Sequence, residues 1–224
     1  SGVQNSLLNA GDNVSVTATF SESVIVDNAS GTPTLTMVVG STNRTATYAS
    51  GSGSTPLVFQ YTIQAGETDS DGISLGANAL ALNSGTIRDA AGNNAVLTHG
   101  SVSANASYKV DTTAPTAPSV SGTTPTNDTT PTWSWAAGGG GGSGTYRYKL
   151  DDSNLTSGAT QTTGTSYTPG SALSAATHTL YVQERDAAGN WSASGSKSIV
   201  IDTTAPTMTI TATTSGGGSS VASG

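Results

Sequence analysis

Two phrases occur twice, about ninety residues apart. Arg88-Asp89-Ala90-Ala91-Gly92-Asn93 returns as Arg185-Asp186-Ala187-Ala188-Gly189-Asn190, and Asp111-Thr112-Thr113-Ala114-Pro115-Thr116 returns as Asp202-Thr203-Thr204-Ala205-Pro206-Thr207. Self-similarity at a fixed period marks an array of modules, each of which closes its own core. The copies set the expected boundaries: residues 1–110 form a first module, 111–201 a second, and 202–224 the truncated start of a third module or a linker. On this spacing the chain is expected to be an excerpt of a longer array.

Composition narrows what such modules can do. Charged residues make up 9% of the 224, Ser and Thr together about a third, and there are 28 glycines, so hydroxyls and backbone must cover most of the surface. That balance suits short strands and frequent turns. A net charge of −7 with only seven Lys and Arg offers no basic stripe for phosphates, which argues against nucleic acid as a partner. No apolar run approaches the roughly twenty residues that span a bilayer, so membrane insertion is not expected. With no cysteine, disulfides, thiolate metal sites and thiol nucleophiles are excluded together.

Period-two alternation dominates both halves. Val14, Val16, Ala18 and Phe20 alternate with Ser15, Thr17 and Thr19; Leu35 to Val39, Ala46 to Tyr48, Leu57 to Ile63 and Tyr108 to Val110 follow the same rule. With strands near Val3 to Leu8 and Thr86 to Arg88, the first module has seven, the count of an immunoglobulin-like sandwich. The second is expected to place strands at Pro118 to Ser121, Thr130 to Trp135, Thr145 to Leu150, Ala159 to Thr162, Thr165 to Thr168, His178 to Glu184 and Ser196 to Ile201. The fold class is therefore all-β, as tandem sandwiches.

Several phrases resemble the tandem immunoglobulin-like repeats of very large secreted bacterial adhesins, including calcium-dependent adhesins exported by type I secretion. In the first module these are Gly11-Asp12-Asn13-Val14, Phe20-Ser21-Glu22-Ser23-Val24, Arg44-Thr45-Ala46-Thr47-Tyr48 and Gln64-Ala65-Gly66-Glu67-Thr68. The second module resembles the fibronectin-III-like variety, through Trp133-Ser134-Trp135 and Gly189-Asn190-Trp191-Ser192. The resemblance implies an extracellular repeat protein of the bacterial cell surface.

Enzymatic residues are sparse. The two histidines, His99 and His178, belong to no hydrolase, metalloprotease or phosphate-loop motif, and no catalytic site is expected. His178 is expected to pack at the head of its strand and His99 to be a solvated loop residue. Trp133 and Trp135, two apart on a strand, face one side and are expected in the core, with Trp191 capping an end of the sandwich. The glycine run from Gly138 to Gly142 is expected to be a flexible loop.

The acidic residues carry the one binding hypothesis. Strand labels put Asp12 in the first loop of module one, Glu67, Asp69 and Asp71 in a later loop at the same end, and Asp111 where the last strand leaves. Asp186 and Asn190 fall at the facing end of module two. Six carboxylates converging on one junction would repel unless a hard cation neutralised them, and Ca²⁺ takes six to eight oxygen ligands of this kind. The expected metal ligands are Asp12, Glu67, Asp69, Asp71, Asp111, Asp186 and Asn190, with Ca²⁺ as the cofactor. The expected function is a structural extender of a bacterial cell-surface adhesin, with neighbouring modules of the same chain as partners. Two alternatives stand beside it: a repeat of an extracellular filament or surface layer in which edge strands pair between like chains, and an accessory module of a secreted polysaccharide-active enzyme.

Overall fold

A computed structural model describes residues 6–211. Among the described residues there is no helix; sixteen strands gather around two separate hydrophobic cores.

The first core is built by β1 (Leu7–Leu8), β2 (Asn13–Asp27), β3 (Thr34–Val39), β4 (Thr42–Ser50), β5 (Ser54–Thr62), β6 (Thr68–Asp69), β7 (Leu80–Ala81), β8 (Thr86–Arg88) and β9 (Lys109–Asp111). Six of these form one sheet in the order β7-β3-β4-β5-β2-β8, and three form a smaller one, β1-β9-β6. Alternation does what period two dictates: Leu35, Met37 and Val39 of β3 are buried, as are Leu57 and Phe59 of β5. Gly40, at φ 58°, lets β3 turn into β4 within two residues, the left-handed geometry that a tight hairpin requires.

Two features differ from the expected seven strands. β2 runs on past Phe20 to Asp27, because a register shift between Thr19 and Val24 lets it leave β5 and pair with β8 instead. The two-residue strands β6 and β7 are also additional, and β6 pairs antiparallel with β9, Thr68 opposite Asp111 and Asp69 opposite Val110. That pairing brings the loop after β5 to the strand by which the chain leaves the module.

The second core is built by β10 (Ser119–Ser121), β11 (Trp133–Ala136), β12 (Gly142–Leu150), β13 (Thr160–Thr162), β14 (Ser166–Tyr167), β15 (Thr177–Asp186) and β16 (Gly195–Val200). A three-stranded sheet, β10-β11-β14, faces a four-stranded one, β13-β12-β15-β16. Trp133 and Trp135 both point inward, packed with Tyr146, Leu180, Val182, Ile199 and Ile201. Burying an aromatic ring of 150–250 Å² stabilises by about 4–6 kcal/mol at about 25 cal/mol per Å², an upper figure that makes the two indoles the largest contributors to this core. β11 begins at Trp133 rather than Thr130; Pro131 lies just before it and has no N–H to give a ladder. Residues 202–211 adopt no regular structure, and the remainder of the expected third segment lies outside the described residues.

Candidate functional site at the junction between the modules

The chain passes between the cores through Thr112 to Ala117, and side chains from both modules hold it. On the first module, the Thr112 hydroxyl donates to the Glu67 carbonyl at 2.9 Å and accepts from the Gly66 N–H at 2.9 Å. Asp111 Oδ1 accepts from the Thr113 N–H at 2.9 Å, closing an Asx turn at the start of the linker. On the second module, Asn190 Nδ2 donates to the Asp111 carbonyl at 2.9 Å. Thr116 N–H donates to the Gly139 carbonyl, its hydroxyl donates to the Gly138 carbonyl, and Pro115 is buried.

Asn190 is itself held by the turn it belongs to. Asp186 Oδ1 accepts from the N–H groups of Gly189 and Asn190 at 2.7 and 2.8 Å, and Oδ2 accepts from Asn190 Nδ2 at 2.8 Å. The strand labels thus correctly brought Asp111 together with the Asp186–Asn190 turn although 75 positions separate them in the sequence.

The other acidic residues reach the same end of module one, but their oxygens are engaged by the protein. Asp12 Oδ2 accepts from the Asn9 N–H at 3.0 Å. Asp69 Oδ2 and Oδ1 accept from the N–H groups of Gly40 at 2.8 Å and Gly72 at 2.7 Å. Glu67 pairs with Arg44, accepts from the Tyr61 hydroxyl at 2.5 Å and from the Gln64 N–H at 2.8 Å. Burial and the Glu67 carboxylate together push the Tyr61 hydroxyl up to about 12. Asp71 is exposed.

Among the described residues, no three carboxylate or imidazole groups come together in a cluster able to hold a metal. Asp12, Glu67, Asp69 and Asp186 accept hydrogen bonds from backbone N–H groups, and Glu67 also pairs with Arg44. Asp69, Asp71 and Asp111 do line one open depression of about 610 Å³, shared with Lys109.

The surroundings of the glycine run, His99 and Trp191 are also defined. The glycine run is the loop that crosses from β11 in one sheet to β12 in the other, with Gly139, Gly140, Gly141 and Gly144 at positive φ. It encloses Glu184, which is 1% exposed and accepts from the N–H groups of Gly138 and Gly144 at 3.3 Å each. A Cβ at Gly142 would run into that carboxyl group. Glu184 was missed by sequence reading, yet Leu180, Val182 and Glu184 share one face of β15, so period two already pointed it inward. His99 is not merely solvated: Nε2 accepts from the Ala79 N–H at 2.8 Å and Nδ1 lies 2.6 Å from the Gly100 carbonyl. Trp191 is half-buried, with the Arg147 guanidinium 4.3 Å and that of Arg185 5.9 Å from its ring centroid.

No protein-family model matches the chain, and no curated protein sequence matches it. Solved structures that resemble it include fibronectin(III)-like modules of Clostridium thermocellum CbhA, at 13% identity and TM-score 0.35 over 87% of this chain and 88% of that one. Domains A168–A170 of titin match at 12% identity and TM-score 0.40, over 87% and 60%, and domains FN1–FN3 of chicken CNTN1 at 10% and 0.39, over 87% and 64%. These neighbours are fibronectin-III-like and immunoglobulin-like modules. At such scores the likeness says nothing about what this chain binds.

Proposed function

We propose that this chain is a structural spacer, an extender segment of a bacterial cell-surface adhesin that holds a distal binding domain away from the cell. What supports the reading is the junction: a short linker held through Thr112 to the main chain of Gly66 and Glu67 on the first module and through Thr116 to Gly139 on the second, with Asn190 of the second module bonded to Asp111 of β9. Bonds on both sides of a proline-containing linker convert a loose tether into a fixed joint. The reading assigns no catalytic residue and places the protein outside the cell.

Calcium enters as a second form of the same reading. The observation in its favour is that Asp69, Asp71 and Asp111 line one depression at this joint, and binding would have to draw them together around the cation. Small-angle scattering on the two-module protein tests both forms. A fixed joint gives a narrow distance distribution that Asn190→Ala broadens; the calcium form additionally requires broadening on addition of EDTA. A wild-type distribution as broad as that of Asn190→Ala would remove the spacer reading.

A further inference from the structure

The seat that receives the linker on module two is made of the residues least able to hold a shape by themselves. Thr116 donates its N–H to the Gly139 carbonyl at 3.1 Å, and its hydroxyl donates to the Gly138 carbonyl. Both carbonyls belong to the run Gly138 to Gly142, and glycine loses more conformational freedom on being fixed than any other residue. Side chains have no room where the linker lies on the run. A Cβ at Gly138 would strike the Thr116 and Ala117 carbonyls, and one at Gly140 would lie 3.4 Å from the Thr116 nitrogen. Close approach of the linker therefore requires glycine, and glycine leaves the seat loose unless something beneath fixes it.

Glu184 is the group beneath. The ladder between β12 and β15 reaches Gly142, opposite Asp186, and Gly138 stands four residues before that point. Glu184 Oε2 accepts from the Gly138 N–H and Oε1 from the Gly144 N–H, at 3.3 Å each, so one carboxyl group spans the loop from both sides. The absent side chain of Gly142 lets it lie that close. The main chain of Glu184 is fixed in turn: its N–H donates to the Ser192 hydroxyl at 3.0 Å, and its carbonyl accepts from the Ser192 N–H at 2.8 Å. Tyr146, its neighbour across the ladder, is the other polar group against it. No Lys, Arg or His among the described residues pairs with Glu184. A buried carboxyl group without a cation is costly to leave short of hydrogen bonds, so the loop does not swing away from it freely.

Gly138 is bonded in both directions. Its N–H donates inward to Glu184 and its carbonyl accepts outward from Thr116, so a single residue connects the buried carboxyl group to the linker. Two positions along β15 and on the same buried face, Asp186 holds the Asn190 amide that donates to the Asp111 carbonyl. The end of one strand therefore backs both contacts by which module two meets the exit segment, through Glu184 to Thr116 and through Asp186 to Asp111.

We propose that Glu184 is a positioning residue of the joint, which sets where module two holds Thr116 by fixing the glycine loop from inside the core. It acts through the loop rather than on the linker itself. The proposal rests on the spacer reading, since a seat of fixed shape matters only where the linker is part of a fixed joint.

Hydrogen exchange at the Thr116 N–H of the two-module protein, followed by NMR, provides the test. Glu184→Gln keeps the shape of the side chain but has one acceptor oxygen in place of two, so Gly138 or Gly144 loses its acceptor. Exchange at Thr116 should quicken about tenfold, the effect of losing one well-placed hydrogen bond. The Ile201 N–H, bonded to the Ala176 carbonyl at the opposite end of β15, should keep its wild-type rate. Quickening by the same factor at both sites would mean that Glu184 supports the module as a whole, and overturns the proposal. Thr116→Val tests the same coupling from the exposed linker with the core left intact, and decides the matter should Glu184→Gln not fold. Coupling is reciprocal, so with the Gly138 carbonyl freed, the Gly144 N–H, which donates to Glu184 and not to the linker, should exchange faster. Unchanged exchange at Gly144 overturns the proposal. A narrow wild-type scattering distribution with Thr116 exchange unmoved in Glu184→Gln would reject Glu184 and leave the spacer reading standing. A broad wild-type distribution removes that reading and the proposal with it.

Discussion

His178 Nδ1 lies 2.6 Å from Asp151 Oδ2, tying the head of β15 to the loop that follows β12. The same carboxylate accepts from the Thr179 N–H at 2.7 Å through Oδ1, and His178 Nε2 lies 3.2 Å from the Ser174 carbonyl. The hydrogen bond to Asp151 is the main cause that raises the imidazole above its usual value, assisted by the Ser174 carbonyl and opposed by burial. A group whose folded value is raised stabilises fully below its unfolded value, near 6.5, and that contribution disappears as pH climbs through the higher folded value. Thermal unfolding followed from pH 5 to pH 9 should therefore show module two losing stability as pH rises above about 6.5. Asp151→Asn should flatten that slope, and an unchanged slope would mean that the pair is not linked to folding.

The two core tryptophans should respond differently to the same change. Trp133 Nε1 donates to the Lys197 carbonyl at 2.9 Å, whereas Trp135 Nε1 is buried with no partner among the described residues. Trp133→Phe loses a hydrogen bond as well as volume; Trp135→Phe loses volume but also removes a buried unsatisfied donor, worth about 1–3 kcal/mol in its favour. Denaturant melts should find Trp135→Phe the milder substitution. Either residue changed to Ala should cost about 3–5 kcal/mol and unfold module two.

Gly142 is expected to be intolerant of even one added methyl group. Its neighbour, the carboxyl group of Glu184, is buried and cradled by two N–H groups, so it has nowhere to retreat. Gly142→Ala should destabilise by about 1–3 kcal/mol, the range for overpacking a closed site. Gly141, where a Cβ meets nothing nearby but φ is 90°, provides a contrast in which the cost comes from backbone strain alone.

Calorimetry with Ca²⁺ on wild type and on Asp111→Ala separates the two forms of the spacer reading. A saturable heat that Asp111→Ala removes supports a cation at the joint. No heat in wild type leaves Thr112 and Asn190 as the groups that fix it.

Much of the fold was legible because alternation is a local signal. The start of β2, together with β3, β4, β5 and β9, follows from it in module one, and Trp133 and Trp135 fall on the inward face that spacing two demands. Segments of two residues, β6 and β7, are too short to show a period. The continuation of β2 was hidden because Ser21, Glu22 and Ser23 interrupt the alternation where the strand changes partners. The junction was half legible: strand labels brought Asp111 to Asn190, since loop position follows from topology. Charge counting did not reveal the partners of Asp12, Asp69 and Glu67, because the backbone N–H groups that donate to them leave no mark in the sequence. Glu184 shows the converse, an inward position that was readable but was overlooked because a lone carboxylate is expected to face water.

The parallel pairing of Leu7 and Leu8 with Lys109 and Val110 sets how the first module bears a load. Its first and last strands lie side by side and point the same way, so tension applied through the two ends pulls them in opposite directions along their length. The bonds between them must then shear together rather than unzip one after another. In module two, the comparable contact is a single parallel bridge between Thr126 and Ile201. Under pulling, the second module should give way first and lengthen the chain while the first still holds, so the pair would yield in stages instead of snapping.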